Sequence, residues 1–557
     1  MMKKILKEKY IIIIFLVTSI LFYRLFITPR YYGHDTIFHT ANIIELSKTI
    51  NTTNILGSKI ITFPTNKFGY GTWLFYPKLP HLLGAYLYKI FKNVYTSMNI
   101  VYYITSFLSA ITVFFLSKKI FKNNKVALLS AIIYLTVPYH ICEIYIRDAF
   151  AENFMFLAAP LIFLGLYNLL DNNYKNFYIF FILGYVIGMY SHLVSMVFCT
   201  IFVALFLLYY HKKIFQKEKI KALIISTLIV IGLTLPFLIT VIEYKSLNAY
   251  TVFLSETFTN RYSLMARTVE FKDLYKGKPI YDSIMPYFNL MTIVFTIITT
   301  FQVVLNKTKY KKELVPMLIY IIIIINLVCS KKIWENIPEI FLMLQFPWRL
   351  IVFLSMFVAI YAPTCILKSD KIPMPKNLKK IIYSLIICLI LIEGVTNVRY
   401  YSEVCLSEDY ILSQKTVMGY QLEYLPLVAQ KKYLSGYRSK IYMELREDGI
   451  IADNKQVKIK INEDNFPNMS FKVTNLTEKT TIELPRIYYL GYVLKDESGN
   501  KIKLKLNKHG FLEATISKNG NYKLYHSTTI PEKISNLIAI ITILLIIIYG
   551  GKYKNEK

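Results

Sequence analysis

The segment Gly33-His34-Asp35-x-x-x-His39 sets an acid between two histidines directly after the first apolar run of the chain. An aspartate so placed can act as a general base that deprotonates an attacking hydroxyl. It can also hold a divalent cation that neutralises a phosphate leaving group, with His34 and His39 as further ligands. A plain N-cap for a helix over 36–48 is the structural alternative. A second polar patch, Arg147-Asp148 with Glu152, occupies a very short turn between two apolar runs. The four-residue spacing predicts Asp148 and Glu152 on one helix face. Arg147 can grip a phosphate bidentately or pair with either acid. Ser191-His192 and Gln345-Phe346-Pro347-Trp348-Arg349 complete the set. His192 also reads as a hydrogen-bonded interfacial histidine. Trp348 and Arg349 read either as an aromatic-belt tryptophan with a snorkelling arginine or as an arginine facing a lipid phosphate. The aromatic stretch from Tyr70 to Pro77 offers a surface for a sugar ring or for the membrane.

Positioning these scattered residues falls to apolar segments. Twelve are expected to cross a bilayer: 10–27, 98–117, 126–146, 153–170, 177–190, 193–210, 221–242, 287–305, 314–330, 350–367, 379–397 and 534–550. The apolar run over 177–210 is too long for one crossing of a roughly 30 Å core, so it divides at Tyr190-Ser191-His192. The stretch from Pro77 to Phe91 is amphipathic and suits the interface. With the N-terminus in the cytoplasm, the clusters Lys118-Lys119-x-x-Lys122, His211 to Lys221, Lys307 to Lys312, Lys368 to Lys380 and the tail Lys552 to Lys557 all fall inside. This agrees with the positive-inside rule and puts both termini in the cytoplasm. Every chemically suggestive residue then falls in the opposite set of loops, at the extracytoplasmic face.

The expected architecture is a polytopic α-helical membrane protein with about twelve transmembrane helices over 1–397. Its first extracytoplasmic loop is 28–97. Residues 398–533 alternate in polarity, as in Val457 to Ile461, Ser470 to Val473, Lys501 to Leu506, Phe511 to Ile516 and Tyr522 to Tyr525, which predicts an extracytoplasmic antiparallel β domain. Residues 534–557 supply a last helix and a basic tail. The chain has 557 residues, 55% of them hydrophobic, and a formal charge of +30. Because the basic residues fall in short runs between apolar segments, membrane electrostatics explains them better than nucleic acid does. Six cysteines, with Cys405 alone in the polar region, show no metal-type spacing and no disulfide framework. No Walker, GxGxxG, GxSxG or HExxH motif is present. The basic start before Tyr10 to Ile27, without a small-residue cleavage site, reads as a retained signal anchor.

Gly33-His34-Asp35 with Phe38-His39, Tyr76-Pro77, Arg147-Asp148-Ala149-x-Ala151-Glu152, Ser191-His192, Gln345 to Arg349 and Glu423-Tyr424-Leu425-Pro426 together resemble a bacterial integral membrane family labelled "6-pyruvoyl-tetrahydropterin synthase-related". Nothing in the chain resembles the soluble pterin enzyme of that label. The family is in turn similar to the C-type glycosyltransferases, which carry an acidic motif in the first extracytoplasmic loop. Asp35 stands where that acid belongs, with His34 where a second acid is usual. The resemblance implies an inverting transfer of sugar from a polyprenyl-phosphate donor to a cell-envelope glycan or lipid-linked acceptor. Asp35, Asp148 and Glu152 would be the catalytic acids, and His34, His39, Arg147, His192, Trp348 and Arg349 would bind substrate. A divalent cation is a possible cofactor, and membrane lipid is the surrounding partner. A non-catalytic envelope-assembly protein or lipid-linked-glycan translocator is the alternative from another class.

Overall fold

A computed structural model describes residues 2–27, 33–65, 67–253, 261–280, 283–285, 287–371, 375–398, 407–413, 423–430, 446 and 448–555. The exit of the first apolar run (28–32) and Cys405 lie outside them. The five other cysteines are free thiols. Two compact units result. The first gathers residues 1–39, 77–231 and 259–406, and the second gathers 40–76, 232–258 and 407–557.

Helix forms at all twelve apolar segments. Among the described residues the α-helices longer than two turns are α1 (Met2–Phe22), α2 (Thr36–Thr49), α3 (Leu79–Phe91), α4 (Val94–Phe121), α5 (Asn124–Thr136), α6 (Pro138–Tyr145), α7 (Met155–Leu170), α8 (Tyr174–Met189), α9 (Leu193–Tyr209), α10 (Lys217–Leu247), α11 (Leu290–Val304), α12 (Lys311–Cys329), α13 (Ile351–Tyr361), α14 (Lys376–Asn397) and α15 (Ile530–Asn555). Of these, α2 and α3 belong to the first loop. Among the described residues six helical segments are long and apolar enough to cross a membrane, and seven if α5 and α6 make one bent span. The apolar helices α8, α9 and α11 have 16, 17 and 15 residues. At about 1.5 Å per residue they fall short of a roughly 30 Å core, so twelve full crossings are more than the helix lengths establish.

Local sequence sets the helix starts in the first unit. The side chains of Asn93, Asn123 and Asn173 accept backbone N–H groups at the starts of α4, α5 and α8, which satisfies donors a helix leaves unpaired. The helix over 126–146 breaks at Val137-Pro138 with a 41° bend. Proline has no N–H to continue the ladder, but it suits the first turn of a new helix. The broken span ends at Tyr145, two residues before Arg147. Helices α7 and α13 are buried on nearly all sides, as expected of helices apolar around their whole circumference. Helix α8 lies close on α7 because a Cβ at Gly165 would stand 2.8 Å from the Phe181 nitrogen, the small-residue contact common between membrane helices.

In the second unit, nine strands among the described residues form two antiparallel sheets. One has the order β3 (Ile451–Ala452), β6 (Thr480–Ile487), β10 (Phe511–Ile516), β9 (Leu504–Leu506). The other runs β4 (Lys458–Asn465), β5 (Asn468–Thr474), β11 (Gly520–His526), β7 (Tyr492–Asp496), β8 (Lys501–Ile502). A separate hairpin in the first unit, β1 (Lys278–Ile280) with β2 (Ser283–Met285), completes the numbering. Phe471, Val473, Leu494 and Leu524 bury one side of the larger sheet, while Lys472 and Lys523 on alternate positions stay exposed, the period-two pattern of a half-buried strand. The strands expected from alternation are present, except that 501–506 divides into β8 in one sheet and β9 in the other. Strands β3, β6 and β7 were not expected; in β6 the alternation of Ile482, Glu483 and Leu484 is cut short by Pro485 and Arg486, yet Ile482 and Leu484 are buried.

Candidate functional site

All nine sequence-chosen residues lie in the first unit. The chain just before α2 pairs with the turn after α6: the His34 N–H donates to the Ile146 carbonyl at 3.3 Å and the Asp35 N–H to the Arg147 carbonyl at 2.9 Å. This approach requires glycine at 33, where a Cβ would stand 2.8 Å from the Ile146 oxygen and 2.9 Å from the Asp148 Cβ. The two acidic motifs, more than a hundred residues apart in the chain, are thus joined through backbone.

Asp148 and Glu152 do not share a helix face. Asp148 adopts φ +57°, a left-handed turn that breaks helical periodicity, and Glu152 begins a short 3-10 turn. The carboxylates therefore part company. Asp148 accepts from the Thr36 hydroxyl and, at 3.3 Å, from the Tyr102 hydroxyl. Glu152 accepts from Arg147 Nη1 and from Arg349 Nε, each at 3.2 Å.

Arg147 is 4% exposed. Its Nη1 donates to Glu143 as well as to Glu152, and its guanidinium lies 4.4 Å from the centre of the Trp348 ring. Arg349 is held by Glu152, by the Leu344 carbonyl at 3.0 Å and by Gln345 Oε1 at 2.8 Å. Arg147 Nε and Nη2 and Arg349 Nη2 make no hydrogen bond among the described residues. Glu143 was missed at the sequence level because it lies inside an apolar run; its signal was the i, i+4 spacing to Arg147.

Asp35 differs from the other acids. It is half-buried, and its carboxylate makes no hydrogen bond or ion pair among the described residues. Burial pushes this carboxyl up to about 6, against the downward pull of Arg147 and Arg349. His34 beside it is lowered to about 4, by burial and then by Arg147, and so is neutral at pH 7. His192 caps α9: its Nδ1 accepts the Ser195 N–H and lies 2.8 Å from the Ser195 hydroxyl. Burial lowers it to about 4 within the electrostatic reach of Glu152, Arg349 and Arg147. His39 turns elsewhere, its Nδ1 2.8 Å from His81 Nε2 on α3. Among the described residues no three His, Cys, Asp or Glu side chains gather as a metal site would need, so the trio His34, Asp35 and His39 is not a ligand set.

The bundle with its apolar spans defines a multi-pass helical membrane protein. The chain belongs to the family described as "6-pyruvoyl-tetrahydropterin synthase related domain; membrane protein", which it matches over residues 73–401. That match takes in Glu143, Arg147, Asp148, Glu152, His192 and Arg349 and begins after Asp35. The chain is also similar, at 24% identity over 618 positions, to a protein of Lactococcus lactis subsp. cremoris (strain MG1363) described as uncharacterized. The similarity covers 98% of this chain and 96% of that one.

Proposed function

We propose that the protein is a membrane glycosyltransferase that moves a sugar from a polyprenyl-phosphate carrier to a cell-envelope glycan or lipid-linked acceptor at the extracytoplasmic face. The observation that carries this reading is Asp35: an acid whose carboxylate makes no hydrogen bond or ion pair among the described residues, beside two arginines with donors that make none among them either. As general base, Asp35 takes the proton of an acceptor hydroxyl while that oxygen attacks the anomeric carbon. The bond from this carbon to the phosphate oxygen breaks with inversion, and polyprenyl phosphate leaves. Its growing charge meets arginine, the electrostatic help that dominates such reactions. Asp148 and Glu152 position the mouth, the first through Thr36 and the second through the arginines. The β-rich region meets the acceptor glycan, with both chain termini in the cytoplasm.

The test compares cell-envelope glycans by mass spectrometry in a deletion strain complemented with the wild type or with Asp35→Asn at matched membrane levels. The reading expects the wild type to restore a sugar that Asp35→Asn does not restore. Full restoration by Asp35→Asn sinks it. A second reading, a non-catalytic assembly protein or lipid-linked-glycan translocator, is favoured by one observation: Glu143 and Glu152 use the charge of Arg147 internally, as a structural clamp does. That reading leads if Asp35→Asn behaves as wild type.

A further inference from the structure

Arg147 and Arg349 are not equivalent, and a third arginine lies beside them. The Arg267 guanidinium is 4.4 Å from the centre of the Phe346 ring, and the Arg349 guanidinium is 4.8 Å from the same centre. Trp348 stacks on that ring at 4.7 Å, and Arg147 lies over Trp348. The order is therefore Arg267 and Arg349 at Phe346, then Trp348, then Arg147. The Arg147 end is closed, with Arg147 and Trp348 both buried and two glutamates on the arginine. The Phe346 end is less deeply buried: Arg267 and Phe346 are half-buried and the Arg349 side chain is 11% exposed.

Gln345 braces this end. Its backbone adopts φ +64°, a conformation unfavourable for a non-glycine residue. In exchange its two oxygens face the arginines: Oε1 accepts from Arg349 at 2.8 Å and the carbonyl accepts from Arg267 Nη1 at 3.5 Å. Planar guanidinium forks match phosphate oxygens bidentately.

We infer that Arg267 and Arg349, braced by Gln345 on Phe346, form the phosphate site of this mouth, and that Arg147 is the buried clamp behind it. The inference rests on the donor-phosphate reading above and assigns Arg267 a binding role. The ligand chemistry is a phosphate group, presented either by a polyprenyl carrier or as the free ion.

The test uses the full chain in phosphatidylcholine nanodiscs and measures binding of a radiolabelled long-chain polyprenyl monophosphate, with inorganic phosphate as competitor. Arg267→Gln and Arg349→Gln should each weaken binding about tenfold or more, the scale of one lost charge-assisted hydrogen bond. Arg267→Lys should recover part of the loss, which a merely structural role would not show. Competition by inorganic phosphate at comparable concentration marks a free-phosphate site; its failure to compete marks the carrier headgroup. Wild-type affinity in folded Arg267→Gln, or in Arg267→Lys should the first not fold, overturns the inference. Binding of the carrier phosphate needs no general base, so failure of the transfer reading, read on glycans with Asp35→Asn, and failure of this one, read on binding with Arg267→Gln, remain distinguishable.

Discussion

A carboxylate beside two arginines ordinarily pairs with one of them, as Glu152 does here with both. Asp35 pairs with neither among the described residues while burial raises it to about 6, and this fixes a pH dependence. A raised carboxyl holds its proton to higher pH, and a general base must have lost it. Transfer in proteoliposomes should therefore fall about tenfold per unit as pH drops below about 6 and level off above it. A rate that stays flat from about pH 4.5 to about 8 removes Asp35 as the base. At this scale the sequence singled out Arg147 because a charge stood in a very short turn, and Asp35 and Arg349 because each stands next to the end of an apolar run. It misled where grouping by proximity replaced direction: His39 sits near His34 in the chain, yet its ring meets His81. It was silent at Arg267, whose neighbour Phe346 lies about eighty residues on.

The bent span α5–α6 is the element on which the site depends. Its break at Val137-Pro138 starts a short second helix whose last turn carries Glu143 and leads straight into Arg147. Removing one partner of a buried ion pair strands the other charge, at a cost of about 3–5 kcal/mol. Glu143→Ala should therefore lower the thermal unfolding midpoint of the detergent-purified protein clearly, with Glu143→Gln milder because it can still accept a hydrogen bond. An unchanged midpoint in Glu143→Ala would show that Arg147 does not need this partner. The positions of the helices were readable from apolar periodicity. Which of them cross a bilayer unaided was not, because hydropathy marks an apolar run without fixing where its helical hydrogen bonding stops. Strand β6 was hidden for a related reason: burial of Ile482 and Leu484 outweighs the poor strand tendency of Pro485.

Across the whole molecule, basic clusters and site residues alternate along the chain, and this predicts a topology. In a cysteine-free background, Lys518→Cys should react with an impermeant maleimide in intact cells, and Lys309→Cys only after permeabilisation. Both positions are exposed, so the reverse pattern would invert the proposed orientation. The sequence marked residues 398–533 as different in composition, but it could not show that the second unit also recruits 40–76 and 232–258. Those ties are long-range: the Tyr250 hydroxyl donates to the Tyr488 carbonyl at 2.7 Å, and the Tyr70 hydroxyl reaches Glu423 at 3.5 Å. Chain distance also matters during synthesis. Glu143 and Arg147 are four residues apart and meet as soon as their helix forms, whereas Arg349 reaches Glu152 across 197 residues. At about 5–20 residues per second, a nascent chain waits roughly 10–40 s for that second arginine. Until then Arg147 is the only one of the two arginines able to neutralise Glu152, so losing it should harm membrane insertion before it harms any finished site.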